Sequence, residues 1–151
     1  MPHPWGGRRR RPHDEEGAAA VEFAIVLPVL LLVVFGIISF GIIFAQELAL
    51  GNAARQGARY GVVGDRTCDE IKAEAVTNAA SLAMPSSSEV VEVTVTRAGV
   101  ACSGDSVPCA GSAPGDNVEV ETRFTSVPLV PLVLTSGVEL TGTGTFRCEF
   151  S

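Results

Sequence analysis

"GAAAVEFAIVLPVLLLVVFGIISFGIIFA", residues 17–45, decides how the rest of this 151-residue chain is read. From Phe23 to Ala45 it runs for 23 residues without a charge. At about 1.5 Å per residue, a helix of that length reaches about 34 Å, enough to cross a hydrocarbon core of about 30 Å. Pro28, Gly36, Ser39 and Gly41 do not argue against a span, because Gly and Pro are tolerated in transmembrane helices. A removable secretory signal is the rival reading, but its apolar core is usually only about 7–15 residues. Ile43-Phe44-Ala45 is also a weak small-residue cleavage site. The expectation is a retained span. Glu22 then stands out, since a charge at the bilayer centre costs about 2.5–3.5 kcal/mol on insertion scales and needs a functional reason.

The flanks set the orientation. Arg8, Arg9, Arg10 and Arg11 precede the span, whereas Arg55 and Arg59 are the only basic residues soon after it. The positive-inside rule counts Lys and Arg and largely ignores acids, so Asp14, Glu15 and Glu16 do not cancel the arginines. The N-terminus is therefore expected in the cytoplasm and everything after residue 45 outside. Beyond the span, seven basic residues face thirteen acidic ones, a net of −6, which argues against a nucleic-acid surface. The expected organisation is a leader over 1–17, a transmembrane helix over 18–45 and an extracytoplasmic domain over 46–151.

All four cysteines, Cys68, Cys102, Cys109 and Cys148, fall in the exported part. An even count outside the cytoplasm favours disulfides. Zinc would prefer closely spaced cysteines or histidines, and six residues separate Cys102 from Cys109. Three connectivities are open. The favoured one joins Cys102 to Cys109 across a Gly/Ser/Pro-rich loop and Cys68 to Cys148.

The span's helix is expected to continue through "AQELALGNAARQGARYG" (45–61), rich in good helix formers. Gly51, Gly57 and Gly61 weaken an isolated helix and make sense if another backbone packs closely against them. A second helix is marked by Thr67-Cys68-Asp69-Glu70, a capping box with Thr67 as N-cap and Glu70 three residues on. Ile71, Ala75, Ala79 and Leu82 follow at helical spacing as a core stripe, and Pro85 ends the run. Three segments then alternate as half-buried antiparallel strands: "VEVTVTR" (91–97), "VEVETRF" (118–124) and "ELTGTGTFRCEF" (139–150). In the last, Leu140, Phe146, Cys148 and Phe150 share one face. Residues 98–116 read as a loop, and 125–137 as an apolar connector whose prolines exclude a central strand. The fold class is α+β: an N-terminal transmembrane helix extending into a small external domain with one further helix and a three-stranded antiparallel sheet.

Little here can do chemistry. His3 and His13 are the only histidines, and both lie in the leader. That leaves no Ser-His-Asp or Cys-His site outside the membrane. The external carboxylates sit on strand faces or a helix cap, and no glycine-rich phosphate loop follows a strand. The "GTG" at 142–144 lies within a polar strand. No enzyme, cofactor, metal site or small-molecule substrate is expected.

Gly17, four small or apolar residues, Glu22, Phe23 and then an apolar run resemble the class III signal of type IV pilins of the tight-adherence type. With "NAARQGARYG" after the span, residues 17–61 look like the TadE-like pilus assembly proteins, minor pilins or pseudopilins of that system. The matching positions are Gly17, Val21, Glu22, Phe23, Pro28, Gly36, Phe40 and Gly41, then Asn52, Ala53, Ala54, Arg55, Gly57, Ala58 and Arg59. The resemblance implies cutting between Gly17 and Ala18 by a prepilin peptidase, with Glu22 and Phe23 serving assembly. It implies helix packing through Pro28, Gly36, Gly41, Asn52, Arg55, Gly57 and Arg59. The implied partners are membrane lipid, other pilins or pseudopilins and the assembly platform. The implied location is the bacterial cytoplasmic membrane or a pilus. One departure is that Asp14, Glu15 and Glu16 abut Gly17, where such leaders commonly carry basic residues. A different class of function remains open, a membrane-anchored or secreted binding module or adhesin unrelated to a pilus.

Overall fold

The computed structural model describes residues 13–80, 91–127 and 137–149, with the side chains of 13–16 and 80 left out. Its elements are α1 (His13–Val62), α2 (Cys68–Ala80), β1 (Glu92–Arg97), β2 (Val100–Cys102), β3 (Asn117–Ser126) and β4 (Val138–Arg147). The chain divides into two compact units, Met1–Ile38 and Ser39–Ser151.

In the first unit α1 starts at His13, before the expected Gly17, and runs through Pro28. From Val21 to Ile38 every large apolar residue but the half-buried Leu27 is exposed, Val21 at 63% and Ile25 at 71%. The most apolar window of the Gly17–Val62 helix has a mean hydropathy of 2.9 and is only 6% buried. A helix that is apolar all round and covered by almost nothing among the described residues fits a single-pass membrane anchor.

In the second unit the rest of α1 and α2 pack on one face of an antiparallel sheet of order β2-β1-β3-β4. The sheet has four strands rather than the three expected. The added strand, β2, arises because Ala98 (φ 48°) and Gly99 (φ 80°) form a two-residue turn that folds Val100–Cys102 back onto Val95–Arg97. Positive φ at both central positions is the tight hairpin geometry normally signalled by Asn-Gly or Asp-Gly. Ala-Gly hides it, and three residues are too few to show an alternation. β3 extends to Ser126, into the expected connector, while β4 stops at Arg147. Leu82, Pro85, Phe150 and residues 128–136 of that connector lie outside the described residues.

The core is made of small residues on the helices and branched ones on the sheet. Ala54, Ala58, Ile71 and Ala75 are fully buried against Val95, Val118 and Val120. A second cluster joins Leu50, Ala53 and Ala79 to Phe124 and Leu140. The α2 stripe of Ile71, Ala75 and Ala79 is buried as expected. A Cβ on Gly57 would stand 3.0 Å from the Ala75 Cβ, and one on Gly61 2.6 Å from Ile71 Cδ1. Those two glycines therefore let α2 approach α1, the role their sequence positions suggest.

Among the described residues, the closest approach of a strand to α1 falls on the "GTG" of β4. A Cβ on Gly144 would lie 2.5 Å from the Ala54 carbonyl carbon and 2.5 Å from the Arg55 nitrogen, and one on Gly142 would collide with the Leu50–Gly51 peptide. Helix backbone thus rests directly on strand backbone. The repeats match, since four helical residues advance about 6 Å and two strand residues advance 6.6–6.8 Å. Thr122 of β3, fully buried, donates through Oγ1 to the Leu50 carbonyl (3.1 Å) and lies 3.3 Å from the Gly142 carbonyl. Ser126 Oγ donates to Gln46 Oε1 at 2.6 Å.

Candidate functional site

Two surfaces remain after the core is accounted for, the exposed α1 and a loop held at both ends over residues 103–116. Along α1, Gly17, Ala18, Glu22, Phe23 and Pro28 are exposed. A Cβ on Gly17, Gly36 or Gly41 would meet nothing within 4 Å among the described residues. Farther on, Asn52, Arg55 and Arg59 are exposed while Gly57 is buried. Arg55 folds back along its own helix, Nε donating to the Gly51 carbonyl (2.9 Å) and Nη2 to Asn52 Oδ1 (3.2 Å). Of the residues expected to serve helix packing, Gly57 is the one that lies against another element among the described residues, a Cβ there standing 3.0 Å from the Ala75 Cβ.

The loop is built from both disulfides, and their pairing corrects the favoured expectation. Cys68 is joined to Cys102 and Cys109 to Cys148, with Cα separations of 5.8 and 5.5 Å. The reason lies in β2, which the sequence reading missed. By folding back on β1 it brings Cys102 to the start of α2, which leaves Cys109 to meet Cys148 just beyond β4. The capping box forms as expected, Thr67 N donating to Glu70 Oε2 (3.0 Å) and Glu70 N to Thr67 Oγ1 (3.3 Å). The loop adds a second cap to α2. Cys68 N donates to the Ser106 carbonyl (2.9 Å), and Asp69 Oδ1 accepts from Gly104 N (3.1 Å).

Arg97 organises the far side of the loop. Its Nη2 donates to Asp116 Oδ2 (3.0 Å) and to the Gly111 carbonyl (3.1 Å), and its Nη1 to the Ala110 carbonyl (3.2 Å). Asp116 Oδ2 also accepts from Ala113 N at 3.0 Å. That backbone hydrogen bond first, and the Arg97 guanidinium second, hold the Asp116 carboxyl below its ordinary value of 3.8. Nothing in the sequence pattern singled out this pair, because its members stand 19 residues apart. Next to it a shallow depression is lined by Val62, Gly64, Asp65, Val107, Cys109, Ala110 and Gly111. Asp65 is its one ionisable side chain, so no acid–base or nucleophile–base pair converges there. Among the described residues no group of three or more His, Cys, Asp or Glu could hold a metal ion.

No curated protein and no solved structure matches the chain significantly. A family model described as TadE-like protein does match, over residues 17–59. That stretch is the exposed apolar part of α1 followed by its small-residue part up to Arg59. The N-terminal segment is therefore similar to TadE-like proteins, and the chain is consistent with a TadE-like pilus assembly protein.

Proposed function

We propose that the protein is a membrane-anchored minor pilin or pseudopilin that helps build or cap a tight-adherence type IV pilus or a related secretion system. The match of residues 17–59 carries this reading. An uncovered apolar helix joined to a small α+β unit supports it. In this reading residues 1–17 are cytoplasmic, 18–45 span the cytoplasmic membrane and 46–151 lie outside. The role is structural, with other pilins, the assembly platform, the prepilin peptidase and lipid as partners.

Glu22 gives the reading a physical step. Cleavage after Gly17 frees the Ala18 amino group, and Glu22 lies four residues on along the same helix face. The carboxylate then pairs with its own or a neighbouring subunit's terminal amine. Unit charges about 4 Å apart at an effective dielectric of 20 attract by about 4 kcal/mol before desolvation. That offsets much of the cost of a charge near lipid and is lost when subunits pack out of register. The test is Glu22→Ala at matched expression, read by membrane insertion, co-purification with pilus components and pilus counts. Insertion is expected to persist while assembly falls. Normal assembly would show that Glu22 merely reaches water at the headgroup boundary. A mature N-terminus at Met1 rather than Ala18 would remove the cleavage step.

A further inference from the structure

The sheet is protected unequally at its two edges. β2 closes one edge with three residues and the Cys68–Cys102 bond, the short-strand device that keeps an edge from pairing. β4 closes the other with ten residues free of proline and lysine, and no described strand lies beyond it. The ladder fixes which of its backbone groups face outward. Cys148 N donates to the Asp116 carbonyl, continuing the register that sets Arg147 opposite Asn117. Bonded pairs alternate along an antiparallel ladder, so the even-numbered residues of β4 bond to β3. The amides and carbonyls of Glu139, Thr141, Thr143, Thr145 and Arg147 therefore turn outward, and all five side chains are exposed.

That row is self-complementary. In "ELTGTGTFR" (139–147) Thr143 is the centre, flanked by Gly142 and Gly144, Thr141 and Thr145, Leu140 and Phe146, with Glu139 at one end and Arg147 at the other. We propose that the β4 edge is a homotypic docking surface, on which a second copy of this chain lays its own β4 antiparallel about a two-fold axis through Thr143. Outward-facing residues then meet outward-facing residues, and each facing pair exchanges two backbone hydrogen bonds. Glu139 faces Arg147 of the second copy, twice. On the other side of the sheet Leu140 faces the second copy's Phe146, covering a side chain left 37% exposed in the single chain.

The charges fix this register against its neighbours. A slip of one residue sets outward groups against groups already used, and a slip of two towards the C-terminus sets Glu139 against Glu149. Arg147 has no ion pair among the described residues, and Glu139, 62% exposed, has only Arg123 at 3.7 Å. The flank of α1 above this edge has the same character. Gly142 and Gly144 face the Leu50–Gly51 and Ala54–Arg55 peptides, so Glu47, Gly51 and Arg55, at four-residue spacing, line that flank. Arg55 folds over Gly51, its Nη2 3.3 Å from where a Cβ would stand, and Glu47 lies one turn before it. The two-fold axis reverses the Ser39–Val62 part of α1 from one copy to the other. The contact is independent of the assembly role proposed above.

The test uses the full chain in detergent with single added cysteines under mild oxidation, the linkage being traced by peptide mapping. Thr143→Cys is expected to give a dimer joined at residue 143. Thr141→Cys and Thr145→Cys are expected to link poorly alone and efficiently when mixed. Arg147→Glu, placed in the Thr143→Cys background, should lower the yield several-fold, and adding Glu139→Arg should restore it. Monomeric Thr143→Cys overturns the proposal. So does linkage no better than that of Val100→Cys on the β2 edge, or a yield that Arg147→Glu leaves unchanged.

Discussion

The two parts of α1 are equally helical and solve opposite problems. From Gly17 to Ile38 the helix points large side chains outward all round, Ile25 and Ile37 being 71% and 69% exposed. From Ser39 to Val62 its buried side is largely alanine and glycine, with Ala53, Ala54 and Ala58 at 1% or less. Hydrophobicity alone would rank the first part as the better core helix. Shape reverses the order, because only a helix face of small residues lets a strand backbone lie against it, and that contact excludes water without large side chains. The first part is suited to a solvent that is itself apolar, the second to a protein surface in water. Each prediction below asks whether a change falls on one side of that division or the other.

The largest effect is expected from the disulfides, which lie wholly in the second unit. Their sequence separations are 34 and 39 residues, close enough that the two bonds should matter about equally. Chain entropy gives each about 4 kcal/mol. Cys68→Ala/Cys102→Ala and Cys109→Ala/Cys148→Ala should each lower the urea midpoint of the detergent-solubilised protein by a similar amount, leaving the helicity of residues 17–38 in place. A fall confined to one pair would mean that the loop over 103–116 is not held from both ends.

Next comes a pair of glycine substitutions that sets the two parts of α1 against each other. Gly144→Val places a side chain where the Ala54–Arg55 backbone stands, and backbone cannot step aside as a flexible side chain can. A loss of about 3 kcal/mol, or failure to fold, is expected. Gly36→Val meets nothing within 4 Å and should leave the unfolding of the second unit unchanged. Equal losses from both would remove the distinction between the two parts. Thr122→Val is a milder probe of the same contact. It keeps the shape but takes a buried donor from the Leu50 carbonyl, so a loss of about 1–3 kcal/mol is expected by denaturant titration.

The sequence was most legible where one local rule acts alone. The uncharged run of α1, the Thr67–Glu70 capping box and the alternation in β1, β3 and β4 each depend on near neighbours in the chain, and each appears where expected. What stayed hidden depends on residues far apart. β2 is specified by a turn whose Ala-Gly sequence lacks the usual signal, and missing it misdirected the favoured cysteine pairing. The "GTG" of β4 looked like polar strand until Leu50 and Ala54 were placed above it. The Arg97–Asp116 pair is invisible without the loop that joins it. As for the TadE-like stretch, its motif was readable, but only the structure separates Gly57, which packs on α2, from Gly36 and Gly41, where a Cβ would meet nothing within 4 Å among the described residues.

The smallest effect should be one of pH, seen only in the second unit. Asp116 is held below its ordinary 3.8 by the Ala113 amide and then by Arg97, and both interactions need the carboxylate charged. A carboxyl whose folded value is depressed adds stability at every pH above its unfolded value and loses it as pH falls towards the folded one. The protein should therefore keep the full benefit at neutral pH and begin to lose it only below 3.8. Asp116→Asn retains an acceptor for Ala113 but gives up the charge, so it should be less stable than the parent at pH 7. The gap between the two should narrow as pH is lowered through 3.8 and beyond. Urea midpoints of parent and variant, compared from pH 7 downward, check this. A gap that stays constant below 3.8 would assign the variant's loss to packing of the loop rather than to charge. Glu22 offers the matching control, since Glu22→Gln lies outside this unit and should leave its midpoint unaltered at every pH.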